Sequence, residues 1–254
     1  MSTDGNIWSW LFSGKLQSFG AVASIVGLIG FLVSGSDIAA YLALVAIILF
    51  LAATFHKFYS TVDTFIKQQH PDEFEDIATF VRYSTDDGLH YKFDLYKYVQ
   101  SKRIRITKYE HGFNWTGSTE PEIESGLQEV GDVTKTSRGN YDDLNLYFDR
   151  PVLYNQAEVI HVLMRLNDSD GAASPHLEMR VEEPIRVIHW RVELRHKPSE
   201  YEESAILKKK LIDSNTSRRY ETIDKVRFDS ESMSYRIRMM RPEPGYFYRL
   251  EWEK

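Results

Sequence analysis

Hydrophobic positions fall into two regimes along this chain. Two unbroken apolar runs, Phe19 to Val33 and Ile38 to Phe55, lie near the start and are separated only by Ser34-Gly35-Ser36-Asp37. From Phe80 onward the apolar residues alternate with polar ones. A helix of about 18 residues rises about 27 Å, close to the roughly 30 Å hydrocarbon core of a bilayer, so the second run is long enough to span it. The first is shorter and borrows Leu16 to Ser18 and Ser34. In lipid a helix satisfies every backbone N–H and C=O within its own segment, so the pair predicts a membrane α-helical hairpin. A cleaved signal peptide fits less well. The flank before the first run carries only Lys15, offset by Asp4, and Ser34-Gly35-Ser36 is a loose cleavage site.

Within the first run Gly20, Ala23, Ser24, Gly27, Gly30 and Ser34 recur at spacings of three and four. Such a stripe lets another helix approach closely. Either the second span or the same stripe in a neighbouring copy serves as its partner. The second span holds no ionisable residue in its middle, which argues against a transporter or proton channel. Past it, Phe55, Phe58, Val62, Phe65 and Gln69 continue a helical spacing as a short stalk seam that Pro71 ends. This seam suits a short self-association or packing against the following domain. Trp8 and Trp10 suit the headgroup layer. The predicted organisation is an interfacial segment at 1–18, two spans and a stalk at 19–70, and a β-rich domain at 71–254, with Asp72 to Asp76 as an acidic hinge.

Beyond the hinge the period is two. Strands are predicted at Phe80 to Tyr83, Tyr91 to Leu95, Arg103 to Thr107, Leu144 to Phe148, Val159 to Leu166, Leu177 to Val181, Ile185 to Leu194, Lys225 to Phe228, Tyr235 to Met239 and Tyr246 to Trp252. Asp86-Asp87-Gly88 marks a turn between the first two, Glu203 to Leu211 reads as a short helix, and residues 116 to 140 as a long irregular stretch. Many short strands with little helix predict an all-β domain, an antiparallel immunoglobulin-like β-sandwich, with a β-barrel as the alternative.

Charge refines this picture. The chain's 254 residues have a net charge of -6. The first 70 residues balance Lys15, Lys57 and Lys67 against Asp4, Asp37 and Asp63, so the whole excess belongs to the β-domain. That disfavours duplex nucleic acid as a partner while leaving room for a local basic pocket. Lysines flank both spans and the connecting loop carries only Asp37, which places both termini on the cytoplasmic side of an inner membrane. The absence of cysteine excludes disulfides, thiolate metal sites and cysteine nucleophiles.

No catalytic motif is present: no serine elbow, no Walker or Rossmann glycine pattern and no close histidine spacing for zinc. Neither a metal nor a cofactor is expected. Asp168-Ser169-Asp170-Gly171 starts like a calcium loop, but Met179 stands where the bidentate glutamate belongs, so a hairpin turn is the plainer reading. Trp115, followed by Gly117, marks either a binding loop or a plug at the end of the sandwich. Lys208, Lys209, Lys210, Arg218, Arg219 and Tyr220 form the one concentrated basic region. Arginine forks and a tyrosine suit a phosphorylated nucleotide; anionic headgroups or plain solvent are the rivals.

The N-terminal spans, the lack of a catalytic motif and the β-rich cytosolic domain together resemble bacterial two-transmembrane effectors of anti-phage defence, of the cyclic-oligonucleotide or retron kind. The resemblance is one of architecture, and no ligand motif matches residue by residue. It implies a dormant protein whose domain senses a cyclic nucleotide or a protein trigger, forms homo-oligomers and drives the hairpins together to breach the bilayer in abortive infection. The competing reading is a membrane-anchored β-sandwich binding or adaptor module without pore activity.

Overall fold

The structure, a computed structural model, describes residues 27, 30, 37–135, 141–198, 200–212 and 219–254. The chain divides into two compact units, Met1–Gln68 and Gln69–Lys254. In the first, helix α1 (Asp37–Gln69) runs for 33 residues, about 50 Å at 1.5 Å per residue. Among the described residues it is the one helix long and apolar enough to cross a membrane, and none of its apolar window is buried. The first expected span lies outside the described residues, apart from Gly27 and Gly30, which are helical. One candidate span therefore stands where the sequence pattern predicts two.

The helix is unbroken through the expected stalk, and Phe58 and Phe65 of the predicted seam are exposed there, with Val62 half-buried. Thr54, Thr61 and Thr64 donate their hydroxyls to carbonyls one turn earlier, each at 2.8 Å, so these polar groups cost α1 nothing in an apolar setting. It ends at Gln69 because His70 precedes Pro71, and the proline ring pushes the residue before it out of the helical region.

Thirteen strands are described in the second unit. A six-stranded sheet runs in the order β12 (Ser234–Met240), β9 (Val187–Leu194), β1 (Phe74–Thr85), β2 (His90–Ser101), β7 (Ala157–Asn167) and β4 (Glu122–Glu124). A four-stranded sheet is ordered β11 (Glu221–Val226), β10 (Ala205–Leu211), β13 (Tyr246–Glu251) and β8 (His176–Val181). A third sheet is ordered β3 (Arg105–Phe113), β6 (Asp142–Leu153) and β5 (Glu129–Lys135).

One core joins all three sheets. Leu95, Ile160, Val162, Ile188 and Trp190 come from the large sheet, Leu144 and Leu146 from the small one, and Leu207 and Leu250 from the four-stranded one. Rings bridge the layers: Tyr83 meets Trp252 at 5.5 Å and Phe74 meets Tyr109 at 5.1 Å between centroids. Fully burying such side chains stabilises by about 1.5–3 kcal/mol each, so strict alternation along the strands fixes their register. At the entrance to this unit Arg103 donates to the carbonyl oxygens of His70, Pro71 and Asp72 at 2.8, 2.7 and 3.0 Å.

Several expectations are corrected. The large sheet is mixed rather than antiparallel, because β1 pairs with β9 in parallel from Ala78 opposite Val187 to Thr85 opposite Leu194. The immunoglobulin-like topology is therefore replaced by three sheets around one core, and the edges at β12 and β4 exclude a closed barrel. Glu203 to Leu211 forms no helix; Ala205–Leu211 is β10, with β11 on one side and β13 on the other. Residues 116–140, expected to be irregular, contain β4 and β5. The acidic hinge is shorter than expected, because β1 begins at Phe74. The Asp168 to Gly171 turn connects two different sheets and is no hairpin. Its Asp168 is 1% exposed, accepts from the Ala173 amide at 2.7 Å and pairs with Lys254 at 2.7 Å.

Candidate functional site

A cleft of about 850 Å³ opens between the three sheets. Its walls are mostly apolar and aromatic. Tyr83, Phe93, Leu95 and Trp190 come from the large sheet, Tyr109 and Phe113 from β3, and Leu177, Met179 and Val181 from β8. A cleft of this size, lined by apolar rings with a few convergent polar groups, is the usual form of a small-ligand site.

The polar groups follow from strand alternation. On β3, Tyr109, His111 and Phe113 occupy the buried positions, which places an imidazole in the core. His111 lines the cleft, and its Nε2 is buried with no hydrogen-bond partner among the described residues. Leaving a buried polar atom unpaired costs about 1–3 kcal/mol. Burial, reinforced by the neighbouring Lys97 ammonium, pushes the His111 pKa down to about 3, so the ring is neutral at physiological pH.

Lys97, on β2, donates to Asp76 at 2.8 Å and to the Tyr109 hydroxyl at 2.9 Å. Burial opposes its ammonium, but the Tyr109 oxygen and the Asp76 carboxylate outweigh it and hold the pKa above the ordinary lysine value. Glu178, on β8, accepts from the hydroxyls of Tyr141 and Tyr220 and from Arg249 Nε. Burial disfavours its charge, yet the Tyr220 hydrogen bond and Arg249 keep it ionised with a lowered pKa. Along the lip, burial and a hydrogen bond that the protonated Glu183 donates to Asp72 push its pKa up to about 7. Asp72, Glu73, Asp76, Glu182 and Glu183 make this lip acidic. Converging on the cleft are an unpaired imidazole nitrogen and a lysine fixed in its charged form, within aromatic walls.

Among the described residues, Trp115 is the one predicted site residue that lines this cleft. It is half-buried, and its Nε1 donates to the Thr119 carbonyl at 2.8 Å. Gly117 is required beneath it, since a Cβ there would lie 2.3 Å from the indole. Tyr220 reaches the cleft through Glu178, with Arg249 4.3 Å from its ring. Lys210 lies 5.8 Å from the Tyr220 ring, whereas Lys208 and Lys209 do not converge on it. Lys208 pairs with Glu251 and Lys209 with Glu243, each at 2.9 Å, and strand alternation sends them to opposite faces of β10. Arg219 is exposed, and Arg218 lies outside the described residues, as do Gly20, Ser24 and Ser34 of the packing stripe.

Sequence reasoning missed Lys97, Tyr109, His111 and Glu178. The available signal was the alternation Tyr109, His111, Phe113, which puts an ionisable ring where a core residue belongs. Among the described residues no group of histidine and carboxylate side chains is arranged to hold a metal ion.

No protein-family model matches the chain, and no curated protein matches it. Among solved structures, the M1 zinc metallopeptidase from Deinococcus radiodurans is similar at 10% identity and a TM-score of 0.39, over 70% of this chain and 42% of that one. Yeast LTA4 hydrolase in complex with Bestatin is similar at 8% identity and a TM-score of 0.41, over 73% of this chain and 32% of that one. The chain thus spans less than half the length of either, and likeness at this level carries neither fold family nor activity to it.

Proposed function

We propose that this protein is a membrane-disrupting effector of anti-phage defence, in which the cytosolic β-domain senses a nucleotide or protein signal and drives oligomerisation of the membrane helices. The observation that carries this reading is the contrast within α1, an apolar helix with none of its window buried, joined in one chain to a domain that holds a ligand-sized cleft. A helix of that kind needs lipid or copies of itself around it. On this reading the spans number two, the first using Gly20, Ser24, Gly27, Gly30 and Ser34 as its contact stripe, and the chain sits in a bacterial inner membrane with both termini cytoplasmic. Clustering the β-domains raises the local concentration of the helices, so a weak helix contact becomes effective.

The test is inner-membrane leakage, by dye entry and depolarisation, in bacteria induced to express the full chain or its Gly27→Leu, Gly30→Leu variant at equal membrane levels. Leakage that the double substitution weakens is the expected result. Leakage unchanged by it would contradict the mechanism, and a tethered adaptor, for which the helices are only an anchor, would take its place.

A further inference from the structure

The face of the six-stranded sheet turned away from the core carries a feature that the cleft does not. Alternation brings Arg236 and Arg238 on β12, Arg191 on β9 and Arg82 on β1 to that outer face, with Arg236 opposite Arg191 and Arg191 opposite Arg82 in the ladder. Neighbouring strands lie about 4.8 Å apart, so like charges directly opposite repel unless an anion separates them.

Glu193 is that anion. It is fully buried and takes Arg82 through Nε and Nη2, each at 2.9 Å, and Arg195 through Nη2 at 2.9 Å. Arg191 Nε lies 2.9 Å from it, without hydrogen-bond geometry. One carboxylate thus holds two guanidiniums by hydrogen bonds and lies against a third, and the side chains of Arg82, Arg191 and Arg195 remain 48%, 36% and 52% exposed. The Arg82 and Arg195 guanidiniums are held in place while staying about half exposed.

The remaining charges around this face are of both signs: Asp94 lies directly opposite Arg82, and Lys92, Arg165, Glu122 and Glu124 follow towards the β4 edge. Arg195 also meets Asp86 at 3.4 Å, Asp94 is engaged by His161 at 3.0 Å, and Asp229 lies near Arg236. His189 feels the result. Burial first, then Arg238, Arg191 and Arg236, lower its pKa. On β12, β9 and β1 the arginines outnumber the carboxylates on this face, a local excess of positive charge in a domain whose net charge is negative.

The rows beside the arginines are aromatic. Phe80 lies opposite His189 and Tyr96, and Tyr98 follows on β2. Phe80, Tyr96 and Tyr98 are 46%, 43% and 42% exposed. Half-sunk rings offer a surface to stack on rather than a wedge to drive into lipid, and pre-positioned guanidinium forks suit phosphate oxygens. Cations on three successive strands beside a row of rings fit a chain that repeats both phosphate and unpaired base. A duplex has its base faces covered and gains nothing from the rings.

We propose that this arginine and aromatic face binds single-stranded nucleic acid, with Arg82, Arg191, Arg236 and Arg238 on backbone phosphates and Phe80 and Tyr96 stacking on bases. The inference is independent of what the membrane helices do. The experiment uses the full chain in nanodiscs of neutral lipid and the fluorescence anisotropy of labelled oligouridylate and oligothymidylate of about 12 nucleotides. Single strands should bind with a steep salt dependence, and a duplex of equal length at least tenfold more weakly.

Arg236→Ala with Arg238→Ala, on the edge strand where folding is least at risk, should weaken binding at least tenfold and reduce the logarithmic salt slope by roughly 1.4. Phe80→Ala should weaken it about fivefold or more with the slope unchanged, as expected for lost stacking. Lys208→Ala should leave it unaltered. Near-ultraviolet circular dichroism checks that each variant is folded. No binding at low salt, equal affinity for duplex, or full binding by the folded double-arginine variant would overturn the proposal. So would capture of the same arginines by phosphatidylglycerol nanodiscs while oligonucleotides go unbound.

Discussion

Two apolar stretches of this molecule have opposite fates. In α1, Tyr41, Leu42 and Leu49 are 70%, 66% and 64% exposed, whereas in β9 Ile188, Trp190, Val192 and Leu194 are at most 1% exposed. Both are rich in aliphatic side chains; only one has a protein interior to enter. The lesson lies in the period. In β9 the polar residues His189 and Arg191 alternate with the apolar ones and reach the surface, while the other face builds a core. Over residues 38–55 of α1 the apolar residues cover every direction, which leaves no face for water there and makes lipid the matching solvent.

The comparison breaks most visibly in the core. Trp190→Ala should destabilise the β-domain by about 3–5 kcal/mol, whereas Leu49→Ala should leave its denaturation midpoint within about 0.5 kcal/mol of the parent, both read by urea titration in detergent. The next largest effect runs the other way. Ile47→Lys places a charge in the middle of the apolar run at a cost of about 2.5–3.5 kcal/mol and should move the chain from the carbonate-resistant membrane fraction to the soluble one. Equal insertion of parent and variant would remove α1 as a span.

A smaller effect belongs to the cleft. His111 has a folded pKa near 3 against about 6.5 when unfolded, so the unfolded chain takes up the proton first as pH falls. Stability from this source is complete above about pH 6.5 and lost progressively below it, by about 2 kcal/mol at pH 5. His111→Leu should flatten that part of the pH profile in urea titrations between pH 7 and 5; an identical slope in parent and variant would mean that the ring is not buried as described.

How much of this was legible beforehand depends on what each element leans on. α1 and strands such as β2, β7 and β12 carry their own period and were readable. β10 was misread because Lys208-Lys209-Lys210 looks like an exposed helical face; its strand form depends on pairing with β11 and β13, which no local pattern announces. β4 and β5 are short and polar and exist through β7 and β6. The parallel pairing of β1 with β9 joins residues more than a hundred positions apart and is likewise a product of the whole fold.

The sites follow the same rule. Trp115 stood out by its type and its neighbouring glycine, whereas the cleft's Lys97, His111 and Glu178 come from three strands in three sheets. The basic run drew attention by local density, yet two of its three lysines are matched by Glu251 and Glu243. The arginines of the outer face are scattered in sequence and become a cluster only through the register of β12, β9 and β1.

The central claim is that the apolar helices act and do more than anchor. The most direct measurement exchanges residues 1–70 for an unrelated two-span hairpin, at matched inner-membrane levels, and follows depolarisation after induction with the β-domains clustered by a bivalent antibody to a C-terminal tag. The account expects depolarisation with the native helices and none with the foreign ones. Equal depolarisation from both would contradict it, and so would intact potential in both.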